Sequence, residues 1–220
     1  MSLHDELVIA CPFWDANDET KPFSEMYTEE WVERLYRNFA RHLTVPFEFI
    51  CFTEKRREFS EPIEQHPFSV AKPTYEHCLE PYKLGRPMIL VGLDTIVVDN
   101  IDHLARYCLE GGKLAMPRDP FFPDLVCNGV GLVPRNCHWV YDEWLERRDE
   151  FDGYAKDMNF IRSLAKRGDV AVLDDLFPGE IVSYKGHVKH YGLDGSRIVY
   201  FHGEEKAHQL DHEWIEREWR

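Results

Sequence analysis

A strand, a helix and a second strand follow one another within the first 53 residues, and that order fixes how the chain can start to fold. Leu7-Val8-Ile9-Ala10-Cys11 is a short apolar run stopped by Pro12, the pattern of a buried strand. Asp15 to Lys21 is polar and turn-rich. Thr28-Glu29-Glu30 then offers a capping hydroxyl and two acids where a helix N-terminus favours them. Trp31, Leu35 and Phe39 recur at every fourth position, with Val32 and Leu43 beside them, so one stripe of this helix faces a core. Pro46 stops it, and Phe47 to Thr53 reads as the second strand. A βαβ unit of this length implies parallel strands joined by a right-handed crossover.

The rest of the chain continues the alternation. Residues 54–87 carry Pro62, Pro67, Pro73, Pro81 and Pro87, which predicts a loop-rich connection. Strands are predicted at 88–93, Lys113–Met116, Cys127–Val133, Val170–Leu173, Ile181–Tyr184 and Ile198–Phe201. Helices are predicted at Asp102–Cys108, Cys137–Arg148 and Tyr154–Arg167, before a polar tail with Trp214 and Trp219. With no internal repeat and no linker, one α/β domain over residues 1–220 is the expectation.

Composition narrows the partners. Of 220 residues 44% are apolar, enough for a core, yet no stretch approaches the roughly 18–20 apolar residues of a membrane span. No basic and apolar leader opens the chain, which predicts no signal peptide. A formal net charge of −14 argues against a nucleic-acid surface, which needs a basic face. It leaves room for a phosphorylated small molecule, because a few local donors or a cation can reverse the field in one cleft. The six cysteines form no C-x-x-C pattern. Cys11, Cys51 and Cys127 lie in or beside apolar runs and read as small buried residues of a reducing cytoplasm.

The segment with most chemistry is Leu93-Asp94-Thr95. It closes the apolar run Met88-Ile89-Leu90-Val91-Gly92 and precedes Ile96-Val97-Val98-Asp99-Asn100-Ile101-Asp102. A buried strand that ends in a carboxylate is a common way to build a site, since ligands of α/β folds bind beyond the carboxyl ends of the strands. The same Asp can equally cap the next turn. Isolated readings elsewhere are bland: His202 as a structural histidine, Lys206 as a solvated cation, Gly129 and Gly131 as close backbone approaches, Asp174-Asp175 as a cap or exposed turn. His187, His190, His208 and His212 lack metal spacing and read as surface residues.

Taken in order, these segments resemble the glycogenin-like glycosyltransferases of the small bacterial and viral branch. The opening Tyr27–Arg37 and Pro46–Thr53 are similar to that family's start. Tyr82-Lys83-Leu84 resembles its lysine after an aromatic. Gly92-Leu93-Asp94-Thr95 stands where the family has its Asp-x-Asp motif. Cys127-Asn128-Gly129-Val130-Gly131-Leu132 resembles its acceptor-side strand, Asp174-Asp175 sits where it often has Asp-Gln, and Phe201-His202-Gly203-Glu204-Glu205-Lys206 resembles its F-H-G-x-x-K segment.

The resemblance implies a nucleotide-diphospho-sugar transferase domain of the GT-A, Rossmann-like kind with a mixed, mainly parallel sheet. It places a donor-binding half over about residues 1–105 and an acceptor-side half over about 106–220. It implies transfer of a hexose from a UDP-sugar to an acceptor hydroxyl, metal-assisted and retaining. Asp94 and His202 would hold Mn²⁺ (or Mg²⁺), which suits a mixed carboxylate and imidazole site. Lys206 would reach the phosphates, and Gly203 would let the backbone pass close to them. The backbone at Ala10, Cys11, Pro12, Phe52 and Thr53 would form the nucleotide end, and Asn128 and Gly129 the acceptor side. Lys83, Asp174 and Asp175 would be the catalytic candidates. Two departures stand out. Gly92 replaces the first acid of the Asp-x-Asp pair, and Ala207-His208 replaces the usual Pro-Trp. The alternative they raise is a nucleotide-sugar-binding protein of the same fold with weakened or lost transfer.

Overall fold

Alternation along the first strand decides the layering. The computed structural model describes residues 6–220; residues 1–5, where a leader would begin, lie outside it. The strands are β1 (Leu7–Pro12), β2 (Phe47–Thr53), β3 (Glu64–Pro67), β4 (Met88–Val91), β5 (Thr95–Val97), β6 (Leu114–Met116), β7 (Val130–Val133), β8 (Val170–Val172), β9 (Ile181–Ser183) and β10 (Ile198–Tyr200). The helices are α1 (Lys21–Ser24), α2 (Glu29–His42), α3 (Asp102–Glu110), α4 (Trp139–Arg147), α5 (Lys156–Lys166), α6 (Leu173–Leu176), α7 (Lys189–Tyr191) and α8 (Glu213–Glu218).

Side chains of a strand point by turns to opposite faces. Leu7, Ile9 and Cys11 of β1 pack with Trp31, Val32, Leu35 and Phe39 of α2 and with Leu104 and Cys108 of α3. Val8 and Ala10 pack on the other side, in the cluster that holds Leu79, Tyr82, Trp144 of α4 and Phe160, Ile161 and Leu164 of α5. Both faces of the sheet are therefore covered by helices, which is what a largely parallel sheet requires.

The main sheet has seven strands in the order β3-β2-β1-β4-β7-β6-β8. Neighbours β3/β2, β2/β1, β1/β4 and β6/β8 are parallel. Only β7 runs against its neighbours, β4 and β6. The expected mixed, mainly parallel sheet is the one observed. A second sheet of three strands, β5-β10-β9, stands beside it. Asn38 of α2 completes an edge of this small sheet. Its amide donates to Val97 O at 2.8 Å and to Glu218 O at 3.1 Å, and its Oδ1 accepts from Val97 N at 2.6 Å.

Several boundaries differ from the sequence expectation. β4 ends at Val91, so Gly92–Asp94 form the link to β5, a strand not foreseen. Residues 54–87 hold edge strand β3 and a 3-10 stretch, Tyr75–Leu84, ended by Gly85 at φ +60°. The predicted strand from Cys127 shortens to Val130–Val133. The polar tail folds as α8, whose Glu218 meets His42 at 2.7 Å and whose neighbour Trp219 packs edge-on against Trp31. Among the described residues no helix is long and apolar enough to cross a membrane.

Candidate active-site cleft

A cavity of about 360 Å³ opens where β1 and β4 end. The chain leaving β1 supplies Pro12, Phe13 and Trp14, and the chain leaving β4 supplies Val91 to Asp94. Ligands of such sheets bind beyond the carboxyl ends of the strands where the strand order reverses, and here β1 stands between β2 and β4 at that point. Tyr27, the 3-10 stretch and the start of α5 build the facing walls, and Phe201, His202, Gly203 and Lys206 close the C-terminal side. The Tyr82 hydroxyl, on this cleft, is buried and has no hydrogen-bond partner among the described residues.

Asp94 is the hub. Its backbone carbonyl accepts from Phe201 N at 2.9 Å, which sets His202 beside it. Its Oδ2 accepts from Tyr27 Oη at 3.1 Å and makes a close ion pair with Lys206 Nζ. Lys206 is only 4% exposed, so this ammonium is committed to the cleft wall. Burial, and then the Asp94 charge, push the Tyr27 phenol well above its usual range, so it stays a donor. His202 Nε2 lies 2.7 Å from Ser183 Oγ. Burial and the nearby Lys185 cation hold its imidazole below its ordinary pKa, against the opposing pull of Asp94. Neutral imidazole is therefore the form at neutral pH.

The second polar pair faces the same cavity. Asn128 Nδ2 donates to Asp157 Oδ2 at 2.7 Å. Asp157 is 6% exposed, and burial raises its carboxyl to about 6, with the backbone and Asn128 hydrogen bonds opposing the rise. Gly92 N donates to Gly129 O, though at 3.4 Å, which draws the β7 approach up to the end of β4.

The structure brings together Asp94, His202, Gly203, Lys206, Asn128 and Pro12, residues scattered over the whole sequence. It does not bring the other expected residues to the cavity wall. Ala10, Cys11 and Phe52 are fully buried in the two helix–sheet cores. The Thr53 hydroxyl accepts from Arg57 Nε at 2.8 Å, and this buried guanidinium also meets Asp15, Glu29 and Glu54 and lies over the Phe13 ring. Gly129 is packed against Tyr200 instead. Lys83 is turned to Glu80 at 2.8 Å. Asp174 accepts from Arg118 N at 2.8 Å, and Asp175 pairs with the Arg118 guanidinium at 2.6 Å, both outside the cleft lining.

Asp157, Tyr27 and Lys185 were missed by the sequence reading. For Asp157 a signal existed. Asp157, Phe160, Ile161 and Leu164 share the buried face of α5, so a carboxylate stands on an apolar stripe. A buried carboxylate with a raised pKa in a cleft is a functional-site signature.

The expected Mn²⁺ or Mg²⁺ finds little to hold it. Among the described residues no three His, Cys, Asp or Glu side chains come together as a metal-binding group. Gly92 offers no ligand, Asp94 Oδ2 is taken by both Tyr27 and Lys206 so that Oδ1 alone stays open beside a buried ammonium, and His202 Nε2 is engaged by Ser183. These residues do not fit a preformed divalent-cation site, which needs open carboxylate oxygens.

No protein-family model matches the chain, and no curated protein matches it by sequence. Solved structures do. The glycosyltransferase GlyE of Streptococcus pneumoniae TIGR4 is similar with a TM-score of 0.63 at 13% identity, over 97% of this chain and 59% of that one. An active-site mutant of LgtC gives 0.61 at 13% identity, over 96% of this chain and 93% of that one. The galactosyltransferase LgtC in complex with donor and acceptor sugar analogs gives 0.59 at 12% identity, over 96% and 93%. The fold is thus the GT-A fold of these glycosyltransferases, and the chain spans 59% of the length of GlyE.

Proposed function

We propose that the protein is a glycosyltransferase that moves a hexose from a UDP-sugar to an acceptor hydroxyl, with retention at the anomeric carbon. The observation that carries this reading is the meeting of Asp94, His202 and Lys206 with the Asn128–Asp157 pair around one cavity at the ends of β1 and β4. Pro12, Phe13 and Trp14 offer apolar surface to the base and ribose. Lys206 and the backbone at Gly203, where φ is +61°, serve the diphosphate. Asp157, with Asn128 fixing its orientation, accepts hydrogen bonds from the hydroxyls of the donor sugar. In the reaction the bond from the anomeric carbon to the diphosphate oxygen breaks. A bond to the acceptor oxygen forms, UDP departs, and the acceptor proton leaves with the phosphate or to water. Support for a two-substrate cleft comes from LgtC, whose structure holds donor and acceptor sugar analogs together. The glycogenin-like resemblance supports retention.

The test is a panel of nucleotide sugars, read by thermal shift and by release of nucleoside diphosphate. A ligand at about 100 times its Kd adds about 2.7 kcal/mol of stability. UDP and one UDP-hexose should shift the melt, and that hexose donor should be turned over. Absence of any shift with uridine nucleotides overturns the reading. Binding with no turnover of any donor, offered with simple saccharide acceptors, turns it into the binding-protein alternative.

A further inference from the structure

A nucleoside diphosphate carries its charge into a cleft where only part of it meets water, so countercharge must already be there. In this cleft Asp94 Oδ2 is taken by Lys206 and Tyr27 and His202 Nε2 by Ser183, which leaves a divalent cation one open carboxylate oxygen and no second acid at Gly92. Lys206 Nζ sits on Asp94 Oδ2, and Lys206 is 4% exposed. A cation bound to the same carboxylate would lie against that buried ammonium, and like charges in such a setting repel strongly. A second ammonium lies close by. Lys185 belongs to the π-helical turn Tyr184–Val188 that follows β9. Its Nζ is 3.5 Å from where a Cβ on Gly203 would stand, so glycine leaves the space in front of it open. Lys185 makes no ion pair and no side-chain hydrogen bond among the described residues; its charge is felt by His202 and Glu205, and the Glu205 carboxylate is already paired with Lys189. In a chain with 40 acids and 26 lysines and arginines, an unpaired ammonium beside a cleft is a group without a structural use.

We propose that Lys185 and Lys206 together hold and neutralise the donor diphosphate, with no divalent cation. The proposal rests on the glycosyltransferase reading above and names how that site binds its donor. Lys206 is shared between Asp94 and the phosphates, and Tyr27 Oη keeps Asp94 hydrogen-bonded while it is shared. Lys185 reaches the phosphates across Gly203.

The experiment is calorimetric titration of UDP, and separately of inorganic pyrophosphate, into the full chain after EDTA treatment and again with excess Mn²⁺. Native protein, Lys185→Ala and Lys185→Arg are compared, with a thermal melt of each. UDP affinity should differ by less than about threefold between EDTA and Mn²⁺, since no metal term enters the binding equilibrium. Lys185→Ala should weaken UDP and pyrophosphate by about 10–100-fold in both conditions, the range for losing one charge-assisted hydrogen bond. Lys185→Arg should recover most of that loss, and all three proteins should melt alike. UDP binding that disappears in EDTA and returns with Mn²⁺ overturns the proposal while leaving the transferase reading intact. So does native affinity in Lys185→Ala. No UDP binding in either condition overturns both.

Discussion

Asp157 is where activity and stability should pull in opposite directions. Its carboxyl is buried on the apolar stripe of α5 and raised from its ordinary 3.8 to about 6. The unfolded chain releases this proton near 3.8, whereas the folded chain keeps it until about 6. Between those two values the native state holds the extra proton, so stability falls as pH rises through the window. Below about pH 4 the group costs nothing, and above about pH 6 the cost is complete. At about 1.36 kcal/mol per pH unit, that gap amounts to about 3 kcal/mol. Asp157→Asn has nearly the same shape, never ionises, and can still accept from Asn128. It should be more stable than the native chain by up to about 3 kcal/mol at pH 7, with the difference vanishing near pH 4. For a domain of this size that is a melt about 6–12 °C higher. The assay is thermal unfolding of both proteins across that pH range, paired with UDP release from the best donor. A difference that stays flat with pH would refute the raised carboxyl. A stabilised variant with native turnover would remove Asp157 from the donor-sugar site.

Asn38→Leu keeps the volume but strands Val97 N–H and Val97 C=O, leaving Glu218 C=O to Arg41, and should cost about 2–4 kcal/mol in urea unfolding; a loss under about 0.5 kcal/mol would mean that the edge of the small sheet does not need it. Gly92 lies outside the left-handed region, but a Cβ there would stand 2.8 Å from Asp94 Oδ1, so Gly92→Asp must swing Asp94 aside. That variant should acquire Mn²⁺ binding without nucleotide, measured calorimetrically, and a silent titration would show that the missing acid is not what limits the metal. Lys83→Ala should lower stability by about 1–2 kcal/mol, because Glu80 is buried and loses a charged partner. Its UDP affinity should be unchanged; a weakened affinity would return Lys83 to the site.

What the sequence made legible was whatever short-range pattern encodes. The βαβ opening was readable because apolar runs, a stripe of Trp31, Leu35 and Phe39, and Pro46 all act within a few residues. Asp94 drew notice because it follows the apolar run of β4, whereas His202 and Lys206, bland on their own, were singled out only by the resemblance of the segment after β10. Asp174 and Asp175 read on their own as a cap or exposed turn, and only the resemblance made them catalytic candidates. Arg118, 56 residues upstream of Asp174, takes them both, and nothing local announces that pairing. Lys83 was claimed by a glutamate three positions earlier, a pairing that helical spacing does allow one to expect. β5 escaped notice because three residues carry no periodicity, and it is a strand only through β10. α8 escaped because its polar residues are used on α2, where Glu218 meets His42.

The link Gly92–Asp94 is the only stretch of backbone between β4 in the large sheet and β5 in the small one. The small sheet exists only once β5 has found β10, and Lys206 reaches Asp94 across 112 positions. Closing so long a loop is slow compared with forming the early βαβ unit. The cleft is therefore a late product of folding. A chain still emerging during synthesis can complete β1, β2 and β4 with Asp94 in hand and yet own no complete cleft until Phe201 to Lys206 arrive. Binding competence then doubles as a clock: a refolding protein should regain secondary structure first and affinity for nucleotide afterwards, in a separate and slower phase.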